Sequence, residues 1–299
     1  MLAAEVVEML RDCCRILDGT LGGGGHSAAL LQAGVPSVVG VDRDPDALAA
    51  ASLRLHDYRV AGRFYAVESN YAVLDERPAL DGMTFDGVLL DLGVSSHQVD
   101  DHARGFTFRP GARLDMRMGQ DVSADAAGIL NDEDEASLTT IFKQYGDEPR
   151  SARLAREIVR RRGNKRFETS DDLVGAIRAV LGSRSGAAEF ARLFQAVRIA
   201  VNNELSGLLR ALPQLRDRLT PGGTLIVIAY HSGEDRIVKN AFRGWSSDCV
   251  CPPKQPFCVC RGRALGATLT RRARVASADE IAQNSRARSA RLRAWRSAK

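Results

Sequence analysis

No apolar run in this chain approaches membrane-spanning length and no signal sequence opens it, so a cytoplasmic protein without membrane attachment is expected. Internal repeats and low-complexity tracts are absent too. What is left is a globular chain of 299 residues, 44% hydrophobic, long enough for two domains or one elaborated domain. Cysteine is sparse, with six residues in two groups. Cys13 and Cys14 adjoin an apolar run and read as small core residues, because adjacent cysteines rarely bridge and a cytoplasmic chain is kept reduced. Cys249, Cys251, Cys258 and Cys260 form two Cys-x-Cys pairs around prolines. Four thiolates there could take zinc tetrahedrally, or stay as reduced loop cysteines, since structural zinc pairs usually leave two or more residues between ligands.

Acidic residues are what the C-terminal tail lacks. Arg261, Arg263, Arg271, Arg272, Arg274, Arg286, Arg288, Arg291, Arg293, Arg296 and Lys299 face only Asp279 and Glu280, in a chain of net charge +5. The imbalance favours a polyanionic partner, nucleic acid first, over an ordinary solvated surface.

Glycine, in contrast, is concentrated in one stretch. Leu17-Asp18-Gly19-Thr20-Leu21-Gly22-Gly23-Gly24-Gly25-His26-Ser27, with Val38-Val39-Gly40-Val41-Asp42 after it, reads as strand, tight turn, helix and strand. Glycine lets a ligand approach a helix N-terminus closely, and the acid closing the second strand can accept hydrogen bonds from ribose hydroxyls. A packing turn with no ligand has the same outline.

Glu5 to Leu10 reads as a short helix, Pro45 to Ala51 as a helix with proline in its first turn, Arg63 to Val67 as a third strand and Phe85 to Asp91 as a fourth, buried on both faces. After Ser96 the pattern turns polar, then helical. Helices are predicted over 136–145, 152–162 and 170–181, the last capped by Thr169 or Ser170, and a continuous one over 190–212. Thr224 to Ala229 is a fifth buried strand, followed by period-two segments at Leu265 to Leu269 and Ala290 to Trp295. The expected fold is α/β: residues 1–96 and 205–299 form one discontinuous domain around a mostly parallel sheet, and 97–204 form an inserted, all-helical substrate-recognition domain.

Ligands of open parallel sheets bind outside the carboxyl ends of the strands. Four features converge there: Gly22 to His26, Asp42, the loop Asp91 to Ser96, and His231 to Arg236. Singly, Asp91 could be a cap or an ion-pair partner, and His26 and His231 could be structural.

These blocks carry a resemblance. Asp18 to Ser27, Asp42 to Ala47 and Leu89 to Ser96 resemble the bacterial small-subunit ribosomal RNA cytosine-N4-methyltransferases, the MraW or RsmH family. So do Asp101, Arg104 to Phe106, Leu114 to Met118, Phe194 to Ile199 with Val201 and Asn202, His231 and Ser232 with Glu234 to Lys239, and Asn284 with Arg286 to Ser289. The resemblance implies a class I S-adenosylmethionine-dependent methyltransferase with a Rossmann-like sheet. Its substrate would be a cytidine in the decoding region of 16S ribosomal RNA, met as free RNA or in the 30S subunit, with a homodimer one arrangement the sequence allows. It further implies that Gly24, Gly25 and His26 contact the methionine end of the cofactor, Asp42 the ribose, Tyr71 the adenine, and Asp91 and Gln98 the sulfonium side. The chain departs from the family pattern in lacking a His-x-Pro-Val lead-in, in His97 and Gly233 where proline and leucine are customary, and in Phe190-Ala191-Arg192-Leu193.

Cytosine N4 is a poor nucleophile because its lone pair is delocalised into the ring. Acceptors for its two hydrogens would help localise that pair, and the carbonyls of the Asp91 to Ser96 loop or the Ser95 and Ser96 hydroxyls can serve. A cytosine-C5 enzyme needs a cysteine nucleophile, and this loop has none. Asp115 and Asp235 are candidate proton acceptors, or else partners of Arg117 and Arg236. Phe106, Phe108, Arg109, Arg113, Arg117, Arg198, His231, Ser232, Arg236 and Arg288 are the expected RNA contacts, with loop packing the alternative for the phenylalanines. Two other functions share parts of this pattern. A nicotinamide-dependent oxidoreductase would use the glycine turn but not the serine loop or basic tail, and an RNA-binding assembly factor would have lost turnover.

Overall fold

A computed structural model describes residues 1–95, 98, 101–252, 255 and 257–298. By its own contacts the chain forms two compact units, Met1–Gly93 with Leu205–Lys299, and Val94–Glu204.

The first unit is built on an eight-stranded sheet. Its strands are β1 (Arg15–Asp18), β2 (Ser37–Asp42), β3 (Phe64–Glu68), β4 (Phe85–Asp91), β5 (Leu219–Ala229), β6 (Gly266–Thr268), β7 (Arg274–Val275) and β8 (Arg291–Ser297). The order is β3-β2-β1-β4-β5-β8-β6, with β7 also on β8. β1 to β5 pair in parallel, and β8 runs antiparallel to β5, β6 and β7. Strand order reverses between β1 and β4, so the tips of these two neighbours, Asp18 and Asp91, frame the crevice where open α/β sheets take ligands.

Alternation along the strands sorts the core into two faces. Leu17, Val39, Leu225, Val227 and Trp295 join one cluster, with Leu208, Leu212 and Leu215 of a helix over Glu204–Asp217 and Val238 and Phe242 of another over Ser232–Trp245. Ile16, Val38, Ile226, Ile228 and Leu292 join the other, with residues of the helices Ala3–Leu10, Gly25–Gln32 and Pro45–Arg54. In chain order we call these helices α1 (Ala3–Leu10), α2 (Gly25–Gln32), α3 (Pro45–Arg54) and α4 (His56–Val60); α5 to α9 are those of the second unit, followed by α10 (Glu204–Asp217), α11 (Ser232–Trp245) and α12 (Ala278–Gln283).

The second unit contains α5 (Ala126–Asp132), α6 (Glu135–Gln144), α7 (Ser151–Arg162), α8 (Ser170–Leu181) and α9 (Ala187–Asn202) around one apolar cluster. Two asparagines fix its irregular segments. Asn131 exchanges two 2.9 Å hydrogen bonds with the Phe167 backbone, and Asn202 holds the Met118 N–H and the carbonyl of Met116, a residue that itself takes φ 61°. Thr169 and Asp172 form a capping box on α8.

Several elements differ from expectation. The helix predicted over 190–212 is two, broken at Asn203, which takes φ 52°; asparagine tolerates this left-handed conformation better than other non-glycine residues. β5 begins at Leu219, five residues early, because Pro221-Gly222-Gly223 is absorbed into an irregular pairing with β4. α11 was not anticipated. Cys14 is exposed rather than a core residue, and only Cys13 is partly buried, its thiol pushed up to about 11 mainly by desolvation. No described helix is long and apolar enough to cross a membrane.

Candidate active site

The site begins with the turn after β1. Gly24 precedes α2 at φ 73°, where an added Cβ would lie 3.1 Å from Leu55 and 3.2 Å from Ala51, so a side chain there is both strained and crowded. Gly24 caps α2 with no side chain, and a Cβ on Gly23 would meet nothing within 4 Å. The first turn of α2 therefore presents backbone N–H groups beside open space, a cradle for a carboxylate or similar anion.

Asp42, at the tip of β2, ties this turn down. It accepts the Gly22 N–H at 2.7 Å through one oxygen and the Asp44 N–H at 3.0 Å through the other. Burial raises its pKa while those N–H groups oppose the rise. The carboxylate has four lone pairs against these N–H groups and that of Arg43, which leaves capacity for a hydroxyl donor.

Asp91, at the tip of β4, links residues from three other parts of the fold. Its Oδ1 accepts the Tyr230 hydroxyl at 2.6 Å, its Oδ2 lies 3.2 Å from His26 Nε2, and its N–H donates to Thr20 Oγ1 at 2.6 Å. The turn after β1, α2, β4 and the end of β5 are thus fastened at one residue, the first through its N–H and α2 and the end of β5 through its carboxylate. Burial, then Asp91 itself, drives the Tyr230 phenol pKa far up, so it stays a donor. With Nε2 donating to Asp91, His26 Nδ1 is left as an acceptor, buried and without a partner among the described residues. A ligand bearing an amino-acid group and a ribose fits this set: N–H donors and an unsatisfied imidazole at one end, a carboxylate at the other.

Behind it sits Asp18, fully buried and accepting the Ser27 hydroxyl at 2.7 Å. Desolvation pushes its pKa up to about 6, against the pull of His26 and Ser27. A pKa raised above the unfolded value contributes stability that is complete below the unfolded pKa and is lost as pH rises through the folded one. Compared with Asp18→Asn, the wild-type protein should therefore gain up to about 3 kcal/mol as pH falls from 7 to 4. Thermal melting of both proteins across that range checks it, and a constant difference would refute a protonating Asp18.

A family model described as the MraW methylase family matches residues 1–298. The chain belongs to that family. Three curated relatives carry the name ribosomal RNA small subunit methyltransferase H. The protein from Gemmatimonas aurantiaca is 64% identical over 298 residues, covering 100% of this chain and 94% of its own length. That from Heliobacterium modesticaldum is 45% identical, covering 98% and 96%, and that from Myxococcus xanthus 46%, covering 98% and 95%.

In this MraW methylase the residues expected at the cofactor fall as follows. Gly24, Gly25, His26, Asp42 and Asp91 come together at the strand tips of the first unit, and Tyr71 packs beside Gly19 after β3. Gln98 belongs to the second unit, where its side-chain oxygen accepts the Ser95 N–H at 3.0 Å and its own N–H donates to Ser95 Oγ at 3.2 Å. Ser96 and His97 lie outside the described residues.

The two proposed proton acceptors are both ion-paired. Asp115 takes a bidentate bridge from Arg117 at 2.7 and 2.9 Å; burial pushes its carboxyl up, but Arg117 more than offsets this and holds the pKa below the usual value. Asp235 pairs with Arg293 of β8 at 2.6 and 2.9 Å, not with Arg236, because α11 turns Arg236 outward to solvent. Arg198 is likewise engaged, with Glu204 at 2.8 and 2.9 Å, and both are largely buried. His231 is the N-cap of α11: its Nδ1 accepts the Gly233 and Glu234 N–H groups, and Glu234 returns a bond to the His231 N–H. Phe106 and Phe108 pack on the apolar cluster of the second unit, Phe108 edge-on to Phe190 and Phe194. Arg109, Arg113, Ser232, Arg236 and Arg288 are exposed. Sequence reasoning did not single out Tyr230 or Thr20, and it read Arg293 as an RNA-facing residue of the basic tail, whereas the structure pairs it with Asp235; for Tyr230 a signal existed, in its place between a buried strand and the His231 block.

Proposed function

We propose that this methylase transfers a methyl group from S-adenosylmethionine to the exocyclic N4 amine of a cytidine in the decoding region of small-subunit ribosomal RNA. The observation that carries this reading is the Asp91 carboxylate, held between His26 and Tyr230 beside the glycine cradle, in a member of the MraW methylase family. Gly24, Gly25 and His26 hold the methionine end of the cofactor, Asp42 the ribose, Tyr71 the adenine, and Asp91 and Gln98 the sulfonium side. When bound, the cofactor supplies an electrophilic methyl group.

The chain's own task is to orient the amine and keep water out. Ser95, Ser96 and the carbonyls of their loop accept the N4 hydrogens and localise the lone pair. An N4 that has gained a methyl group is cationic and sheds a proton readily, so a strong base is not needed. That suits Asp115, whose bridge to Arg117 makes it a weak one. Family membership leaves the nicotinamide reading and the silent assembly-factor reading without support.

The test is incorporation of label from S-adenosylmethionine into RNA from a strain lacking the native activity, offered as naked RNA and as 30S subunits, with mass mapping of the product. N4-methylcytidine in either substrate supports the assignment; methylation at another atom, or none in both, refutes it.

Arg288 and Arg291 are exposed residues of the basic tail, free of the ion pair that holds Arg293, and we assign them to phosphate contacts. Converting both to alanine should flatten the slope of log affinity against log salt by about 1 to 2, the loss of two phosphate contacts. An unaltered slope would return them to ordinary surface.

A further inference from the structure

Between α11 and β6 the chain runs from Ser247 to Leu265 with no helix or strand among its described residues. Among its described residues no apolar core closes this loop: Val250, Phe257 and Val259 are all exposed, the last two at 79% and 77%. Its base is tied by polar bonds. Arg261 donates to the Gly244 and Ser247 carbonyls and to that of Arg263, and the Ala264 N–H donates to Asp248. Beyond that base, the convergent feature among the described residues is sulfur.

The Sγ atoms of Cys249, Cys251, Cys258 and Cys260 all lie within 4.8 Å of one another. Four of the separations are 3.8 Å (Cys249 to Cys258), 3.9 Å (Cys251 to Cys258), 3.5 Å (Cys258 to Cys260) and 3.8 Å (Cys249 to Cys260). A tetrahedron of thiolates about 2.3 Å from a central zinc has edges of about 3.8 Å, whereas a disulfide would bring two sulfurs to about 2.05 Å. The single residue between paired cysteines is no obstacle, because in extended chain residues i and i+2 face the same side. The surroundings suit bound thiolate as well. The Val250 N–H donates to Cys260 Sγ at 3.4 Å, and the N–H groups of Cys260 and Gly262 point at the sulfurs of Cys258 and Cys260. Such outer-shell donors spread the negative charge of a tetrathiolate centre.

We infer that Cys249, Cys251, Cys258 and Cys260 form a structural zinc site that stands in for the missing core of this loop. Four thiolates fill the coordination sphere and leave no open position for substrate, so the ion holds the loop and takes no part in methyl transfer. The inference is independent of which RNA atom is methylated.

The full chain, purified without chelators under reducing conditions, should carry about one zinc per molecule, released on titration with a mercurial thiol reagent. Cobalt reconstitution should give the strong visible bands of tetrahedral thiolate coordination. The Cys258→Ser/Cys260→Ser double variant should lose at least about tenfold in zinc content while still binding S-adenosylhomocysteine, and limited proteolysis should now cut it between residues 248 and 264. Three results on the wild-type chain would each overturn the site: no zinc bound after titration of fully reduced protein, stoichiometric iron in its place, or an octahedral cobalt spectrum. Because these are read on the wild type, a variant that failed to fold would not shelter the proposal.

Discussion

Replacing Asp91 by alanine is expected to weaken S-adenosylhomocysteine binding by about 10- to 100-fold, the worth of one or two charge-assisted hydrogen bonds, and to lower the melting temperature in the same protein. The coupling of the two effects follows from what Asp91 touches. Its side chain satisfies the Tyr230 hydroxyl and faces His26 Nε2, both partly buried. Truncation strands both donors at about 1–3 kcal/mol apiece, so alanine damages the scaffold as well as the site. Asparagine separates the contributions. It keeps the shape and one oxygen to accept from Tyr230 while removing the charge, so Asp91→Asn should restore most of the stability and little of the cofactor affinity. Calorimetry and thermal melting on the two variants decide the matter. Unchanged affinity in both would remove Asp91 from the cofactor site, and an undiminished melting temperature in Asp91→Ala would mean the Tyr230 and His26 contacts carry no stability.

The strand tips were readable in advance because their signals are local. An apolar run closed by an acid, twice followed by glycine or serine, records a buried parallel strand and its functional end within a dozen residues, as at Asp18, Asp42 and Asp91. The partners of those acids were not readable in the same way. Tyr230 reaches Asp91 across 139 positions and Arg293 reaches Asp235 across 58, and nothing at either end of such a pair encodes the other. Register decides them: β5 lies parallel on β4 and β8 antiparallel on β5, which brings Ala229, next to Tyr230, opposite Arg291. The break at Asn203 escaped for a different reason. The apolar periodicity continues across it, and only the left-handed backbone at one residue separates α9 from α10.

That pairing also divides the basic tail into two populations. Arg288 and Arg291 are exposed, but Arg293 is 12% exposed and locked by two bonds to Asp235, itself 19% exposed. Arg293→Ala should therefore cost about 3 kcal/mol, the penalty for leaving a largely buried carboxylate without its cation, and lower the melting temperature by roughly 6–12 °C. In the Asp235→Ala/Arg293→Ala double variant the stranded charge is gone, so its loss should fall well short of the sum of the two single losses. The salt dependence of RNA binding, measured below the melting transition, should stay near that of the wild type in Arg293→Ala and flatten only when Arg288 and Arg291 are replaced. A melting temperature unmoved by Arg293→Ala, with RNA affinity reduced, would instead place this guanidinium on a phosphate. Asp235 would then be unpaired when RNA is bound and available again as a proton acceptor.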